Sequence, residues 1–572
     1  MGTRGLEIVR FNKRYYIRYH RLDGYFECLG AKIVAKIPAS AEEYQTWLGS
    51  MRAKYAALEN TFEQHIHEIR AGITPDCRQL GNLAALPSEL PRLDCFDAQY
   101  VYIINLDQEV LTMDFSIHWK LNNIPREDDL WISAIKDSIF PYKLTICPDT
   151  CSEEHMASPA LELPAKHRRI PYHYHVVTPK TRIVQARQAF LVHFLAEVMI
   201  GYKDHIVQFG REWAPDSFPF RELTFALVSI ASDKAKFHSL STQRCNPRRC
   251  QSFSCDQKHL PEPWFGLLDQ EWVNGGAPLL EFGSMSHRPG QPPGAAPTET
   301  MYWLEDVLIS IVMVVDGKAI GKAVKWGLSW KHNFQIVVMS LFNVAFAEVT
   351  SGSSAERPVV EVSEPINLSP LRIDYCMSTH PRERPVRKPG MTITKQYGEL
   401  IMQSHCTGTA RRLRSQFPGL AALVNFFDAA AGRHAASKPA TGASLPIELL
   451  SLILDFVDYD TWKTCLTAAT ELRSCCLRKY RLDDRMSIIA GPFVRVQRYH
   501  GQNERLLSYN FEDVRTGQTV SMIHHPNRFG TEWNWRPVIG SGEREALLLD
   551  IDVQFEPAKD VPVEVDSDDE RS

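Results

Sequence analysis

The most apolar run in the 572-residue chain is Phe334–Ala347, FQIVVMSLFNVAFA, 14 residues interrupted by Gln335, Ser340 and Asn343. A membrane-crossing helix needs roughly 20 apolar residues. The run therefore predicts a buried core helix, and the chain reads as globular with no membrane span. At roughly 100–200 residues per domain, the length predicts three or four units. Hydrophobic residues at 44% and charged residues at 23% suit packed cores joined by linker.

The opening MGTRGLEIVRF lacks the apolar stretch of a secretory signal. Leu6 stands where a myristoylation pattern wants Ser or Thr. Thirteen scattered cysteines, an odd number, fit a reducing compartment, so the expected location is cytoplasmic, nuclear or both. Basic and acidic residues number 64 and 68, for a net charge of -4, which gives no global field for nucleic acid. The local basic clusters, such as Arg382–Arg387, lack the interleaved aromatics of a base-stacking platform.

Patterning predicts an α+β multidomain chain. Residues 1–124 form a strand–helix domain. Leu6–Val9, Tyr15–Tyr19 and Ala31–Ile37 read as strands with turns at Asn12-Lys13 and Asp23-Gly24. Residues 40–70 read as a helix capped by Ser40, with Trp47, Met51, Tyr55, Leu58, Phe62 and Ile66 recurring every three or four residues. Strands return over 99–120. Residues 125–288 are mixed and include a Cys-rich segment, with a helix expected around Thr181–Tyr202. Residues 300–349 read as an apolar helical region, 350–390 as a Pro-broken linker, 391–430 as helical, and Ala431–Ser444 as a second linker. Residues 445–485 are a compact three-helix block, 490–557 are β-rich, and the acidic tail 558–572 reads as disordered.

Four sulfur or imidazole ligands, Cys245, Cys250, Cys255 and His259, fall within 15 residues and could hold a tetrahedral structural zinc, or simply be reduced cysteines. His173 and His175 share one face of a strand, with His167 nearby. His524 and His525 alternate faces and cannot point the same way. An acid–base pair of His20 with Asp23 or Asp114 is conceivable in the first hairpin, with Asp114 and His118 on one side of a strand; ordinary turn and strand chemistry is the alternative. The segment DGKAIGK at 316–322 fails the phosphate-loop pattern, because Asp316 replaces its first Gly and Ala323 follows where a hydroxyl is needed.

The block 445–484, LPIELLSLILDFVDYDTWKTCLTAATELRSCCLRKYRLDD, carries the most specific signal. Ser444 suits an N-cap and Pro446 the first turn. Leu449, Ile453 and Phe456 form one apolar stripe, which Leu450, Leu454 and Val457 widen. Asp460 suits the cap of a second helix bearing Trp462, Cys465 and Leu466, and a third helix carries Leu472, Cys475, Cys476 and Lys479. The block resembles an F-box. That family's Leu-Pro pair falls on Leu445-Pro446, its acidic and paired aliphatic positions on Glu448, Leu449 and Leu450, and its next aliphatic pair on Ile453 and Leu454. The third helix departs from the family: Leu472-Arg473-Ser474-Cys475-Cys476 lacks an aromatic that many members carry. The resemblance covers about 40 of 572 residues. It implies docking of Leu445, Pro446, Leu449, Leu450, Ile453 and Leu454 onto a Skp1-type adaptor of a cullin ubiquitin ligase. The rest of a non-catalytic chain would then recruit an unknown substrate protein. The opening MGTRGL and the stretch Tyr102–Glu109 also resemble uncharacterised fungal proteins, which names no activity. Two other readings stand beside this one: a metal-dependent or acid–base enzyme in the N-terminal half, and a scaffold whose helical block is only core.

Overall fold

The computed structural model describes residues 3–12, 14–71, 98–114, 117–136, 150–157, 170–202, 206, 215–216, 218–241, 279–280, 295–350, 358–371, 413, 415–437, 445–499, 502–524, 533–541, 545–548, 551, 553–558 and 563–564. The fold is mixed α+β, with a strand–helix region at the N-terminus and a β-rich region at the C-terminus. Among the described residues, no helix is long and apolar enough to cross a membrane.

The N-terminal region contains β1 (Gly5–Phe11), β2 (Arg14–His20), α1 (Ala31–Lys36), α2 (Ala41–Arg70), β3 (Tyr100–Asn105), β4 (Val110–Met113), β5 (Ile117–Lys120) and α3 (Leu130–Lys136). The sheet order is β2-β1-β3-β4-β5, with β1 parallel to β3. Both faces of the sheet are apolar. Leu6, Ile8, Val101 and Ile103 enter the central core, while Val9, Tyr102 and Ile104 meet α1 to α3. Ser40 caps α2 as expected, accepting from the Glu43 N–H while its hydroxyl donates to the Glu43 carboxylate. Ala31–Ile37, expected as a strand, instead contains helix α1. Ile33 and Ile37 lie four residues apart and are buried together with Val34, so tertiary burial overrides their β-branched preference.

The middle of the chain contributes β6 (His173–Val177), α4 (Ala186–Gly201), α5 (Phe218–Ala231), β7 (Lys236–Ser241), β8 (Leu279–Leu280), β9 (Met301–Leu304), β10 (Val307–Ile311), α6 (Gly317–Leu328), β11 (Phe334–Met339), β12 (Asn343–Thr350), β13 (Val359–Ser363), β14 (Ile366–Asn367) and α7 (Pro418–Ser437). The expected helical region at 300–349 is therefore mainly strand. Alternate residues bury on opposite faces: Val337, Met339, Val344 and Phe346 join the central core, and Ile336, Val338, Ala345 and Ala347 pack against α6. A strand buried on both faces has no polar alternation, so its run looks like a buried helix. The interrupting Ser340 makes the turn, its Oγ accepting from the N–H groups of Phe342 and Asn343. The glycine-bearing stretch after Asp316 is helix α6, and Asp316 caps it by accepting from the Ala319 N–H at 2.8 Å.

The expected linker 350–390 holds β13 and β14, and both belong to the second sheet, ordered β6-β13-β12-β11-β10-β9 with β14 beside β12. The second linker, expected at 431–444, is helical through Ser437 as the end of α7.

The C-terminal part contains α8 (Ile447–Phe456), α9 (Tyr459–Ala468), α10 (Thr470–Arg478), β15 (Tyr480–Arg481), β16 (Met486–Tyr499), β17 (Gln502–Asp513), β18 (Thr519–His524), β19 (Trp533–Ile539), β20 (Ala546–Leu548), β21 (Val553–Pro557) and β22 (Val563–Glu564). These strands do not make an isolated domain. The third sheet runs β15-β16-β17-β18-β21-β19-β20-β8, and β7 pairs with β19, so two of its strands come from the middle of the chain. The acidic tail, expected to be disordered, supplies β22, which pairs with β16. One continuous core joins a face of each of the three sheets to α4, α5, α7 and the three C-terminal helices.

Candidate docking face

The three short helices form as the sequence leads one to expect, with the second cap moved. Asp458, not Asp460, caps α9, its Oδ1 accepting from the Thr461 N–H at 2.7 Å. Pro446 occupies the position before α8, and its carbonyl accepts from Leu449 and Leu450. The carbonyls that lack a helical partner at the far end of α8 are satisfied by Arg481, which donates to the oxygens of Leu454 (2.8 Å) and Val457 (2.7 Å). Trp462, Leu466, Cys475 and Cys476 fill the space between the helices. Burial pushes the Cys476 thiol up to about 12, which makes it an inert packing group.

The apolar positions of α8 divide into two sets. Leu454 is 4% exposed, and Leu450 and Val457 pack partly buried against the central core. Leu445, Leu449, Leu452, Ile453 and Phe456 face solvent, Phe456 at 84% exposure. Five of the eleven exposed large apolar side chains among the described residues thus fall within 12 consecutive positions. Scattered exposed apolar residues are ordinary, but a contiguous set marks an interaction surface. Of the six expected contact residues, Leu445, Pro446, Leu449 and Ile453 are available to a partner. Leu454 is not, and Leu450 is only half-exposed: they anchor α8 to its own protein. Leu452, absent from the expected set, joins the exposed face.

A buried charged network fixes this face to the body of the protein. On α7, Asp428 accepts from Arg473 of α10 at 2.6 Å, and from Arg187 and Gln188 of α4 at 2.5 and 3.0 Å. Arg187 also donates to Asp233 at 2.6 Å, and Asp233 further accepts from the Tyr480 hydroxyl and lies 3.6 Å from Lys463 of α9. Burial alone would raise the Asp233 carboxyl, but Arg187 and Lys463 beside it hold it below its ordinary range. Burial lowers Lys463, with Asp233 opposing. Arg473 also donates to the Leu466 carbonyl at 3.1 Å, so one guanidinium joins α7, α9 and α10.

The other expected sites fare differently. Cys245, Cys250, Cys255 and His259 lie outside the described residues, as does His167. His173 and His175 do share a face of β6, with ring centroids 4.8 Å apart, but no third metal-ligating side chain joins them among the described residues. Of the two readings of the first hairpin, a pairing of His20 with Asp23 or Asp114 is not seen among the described residues. His20 Nε2 lies 3.0 Å from Glu7, which also accepts from Lys36, beside a cleft of about 260 Å³. Asp114 sits in a left-handed turn after β4 and accepts from the Val101 N–H, while His118 is on β5 bonded to Thr112. Asp114 and His118 therefore do not share a strand. His524 points inward and is buried against α4. No protein family, curated protein or solved structure matches this chain.

Proposed function

We propose that the chain is a non-catalytic, substrate-recruiting subunit that docks onto a Skp1-type adaptor of a cullin ubiquitin ligase through the exposed face of α8. The observation that carries the reading is the contiguous apolar surface of Leu445, Leu449, Leu452, Ile453 and Phe456 on a helix whose opposite side is already packed. Burying such a surface in a partner is favourable at roughly 25 cal/mol per Å² of apolar area. The buried network supports the same reading. A recruiting subunit must hold its substrate at a defined position relative to the ligase, and ion pairs from α7 and α4 mount the docking helices without a hinge. The remainder of the fold is then the substrate-bearing body.

The test is coexpression of the full chain with a fungal Skp1-type adaptor, followed by size-exclusion chromatography with light scattering. A one-to-one complex is expected. Replacing Leu449 and Ile453 together with Asp should weaken it by at least roughly 30-fold, the equivalent of one 2 kcal/mol hot spot. A wild-type chain that remains alone, or a complex indifferent to the double substitution, defeats the proposal.

A further inference from the structure

α4 carries a second polar cluster one and a half turns beyond Arg187. His193 and Glu197 lie four residues apart on it, so their side chains share one face. His524, at the end of β18, meets them from the third sheet, with its ring 4.4 Å from that of His193 in an edge-on arrangement. His193 Nε2 is 3.7 Å from the Glu197 carboxylate, and one ligand atom from each of the three residues lies within 4.8 Å of the others. His193 is 1% exposed, and neither of its ring nitrogens has a hydrogen-bond partner.

Leaving a buried imidazole unsatisfied carries the full desolvation penalty of its ring nitrogens. Aromatic rings cover its other sides, with Tyr509 stacked on His193 at 6.0 Å and Phe555 at 6.4 Å. The neighbouring buried positions of α4 from Ala189 to Val192 and from Phe194 to Ala196 are apolar, so an aliphatic or aromatic residue would pack here without that cost. A pair of neutral imidazoles with one carboxylate is a ligand set for a divalent first-row ion, with bonds of about 2.0–2.2 Å for zinc. Ligands on such an ion sit roughly 3–4 Å apart, so the observed separations need only small rotamer shifts to close.

We infer that His193, Glu197 and His524 form a binding site for a divalent transition-metal ion of the zinc type, pinning α4 to the third sheet. The ion takes one ligand pair from a helix turn and one ligand from a strand more than 300 positions later in the chain. It thereby closes a long loop in the native state, as structural metals do. Because α4 also holds Arg187, the same helix is tied at one end to the docking helices and farther along to the β-rich region.

The cysteine cluster at 245–259 is a competing source of bound metal and must be removed first. The experiment uses the full chain carrying Cys245→Ser, Cys250→Ser and Cys255→Ser, purified without chelator or polyhistidine tag, and measures metal by mass spectrometry. About one ion per chain is expected. Glu197→Gln, nearly isosteric and at a partly exposed position, should weaken binding by more than the roughly 10–100-fold that loss of a supporting partner costs, with an unchanged far-ultraviolet spectrum. His524→Ala should remove the ion. Cobalt loaded into the stripped cysteine variant should show visible ligand-field bands without thiolate-to-cobalt charge transfer, a reading that needs no substitution among the three ligands. Metal retained unchanged in both ligand variants overturns the assignment. So does a cysteine variant that holds less than about 0.1 ion per chain and takes up no added zinc or cobalt.

Discussion

Asp428→Asn tests whether helices α8 to α10 are welded to the body or merely tethered. The carboxylate accepts from two buried guanidiniums, Arg187 and Arg473, whose side chains are 3% and 7% exposed. Removing one partner of a buried ion pair costs about 3–5 kcal/mol, because it strands the other charge. Arg187 keeps the Asp233 carboxylate, whereas Arg473 loses its charged partner and keeps the Leu466 carbonyl and the neutral amide oxygen, which places the expected cost near the lower end, about 3 kcal/mol. For a chain of this size a single global unfolding energy is ill defined, so the assay is amide hydrogen exchange read peptide by peptide. Protection in α9 and α10 should fall by roughly 100-fold, while β1 to β5 stay unchanged. Adding Arg473→Met, which removes the stranded charge, should recover at least about 1 kcal/mol. A fall of less than about threefold would mean that the network holds nothing together. An equal fall in the N-terminal sheet would mean that it stabilises the whole chain rather than this junction.

The two faces of α8 should respond unequally. Leu449→Asp with Ile453→Asp should change thermal stability little, as exposed substitutions usually stay within about 0.5 kcal/mol, whereas Leu454→Ala should cost about 2–4 kcal/mol from its buried site. Equal melting temperatures for the two variants would refute the division of the helix. A pH effect belongs to Asp114, whose carboxyl burial pushes up to about 7 against the opposing Val101 N–H. A carboxyl raised above its unfolded value of about 3.9 stabilises the fold fully below that pH and loses the contribution as pH rises toward 7. Asp114→Asn should therefore flatten the decline in melting temperature between pH 4 and 7, and variant curves parallel to wild type would contradict this.

Several elements were legible because local chemistry alone dictates them. The 41–70 helix announced itself through Ser40 and apolar residues at helical spacing, and the C-terminal sheet through the β-rich pattern of 490–557. The three C-terminal helices were likewise readable, since Pro446 and their apolar periods act within a few residues, although the cap expected at Asp460 falls on Asp458. What the sequence could not give was the partner of each apolar stripe. Leu450 and Ile453 belong to the same broad stripe on α8, yet only the packing of α7, α9 and α10 beneath it decides that one supports the fold and the other faces solvent.

The same limit explains the larger errors. Between Phe334 and Ala347 the polarity pattern carries no period, because two different cores, one on each face of the sheet, demand apolar residues at every position. Segments that looked like linkers became β13 and β14 because sheets already formed elsewhere offered edges to pair with. The ion pairs of Arg187 with Asp428 and the meeting of His193 with His524 join residues hundreds of positions apart, and no local spacing encodes them. The sequence alone determined that 41–70 and the three short C-terminal segments could be helices and that the chain builds α+β cores. The tertiary structure decided which of their apolar faces remain uncovered and which charges are buried together, because both depend on long-range packing.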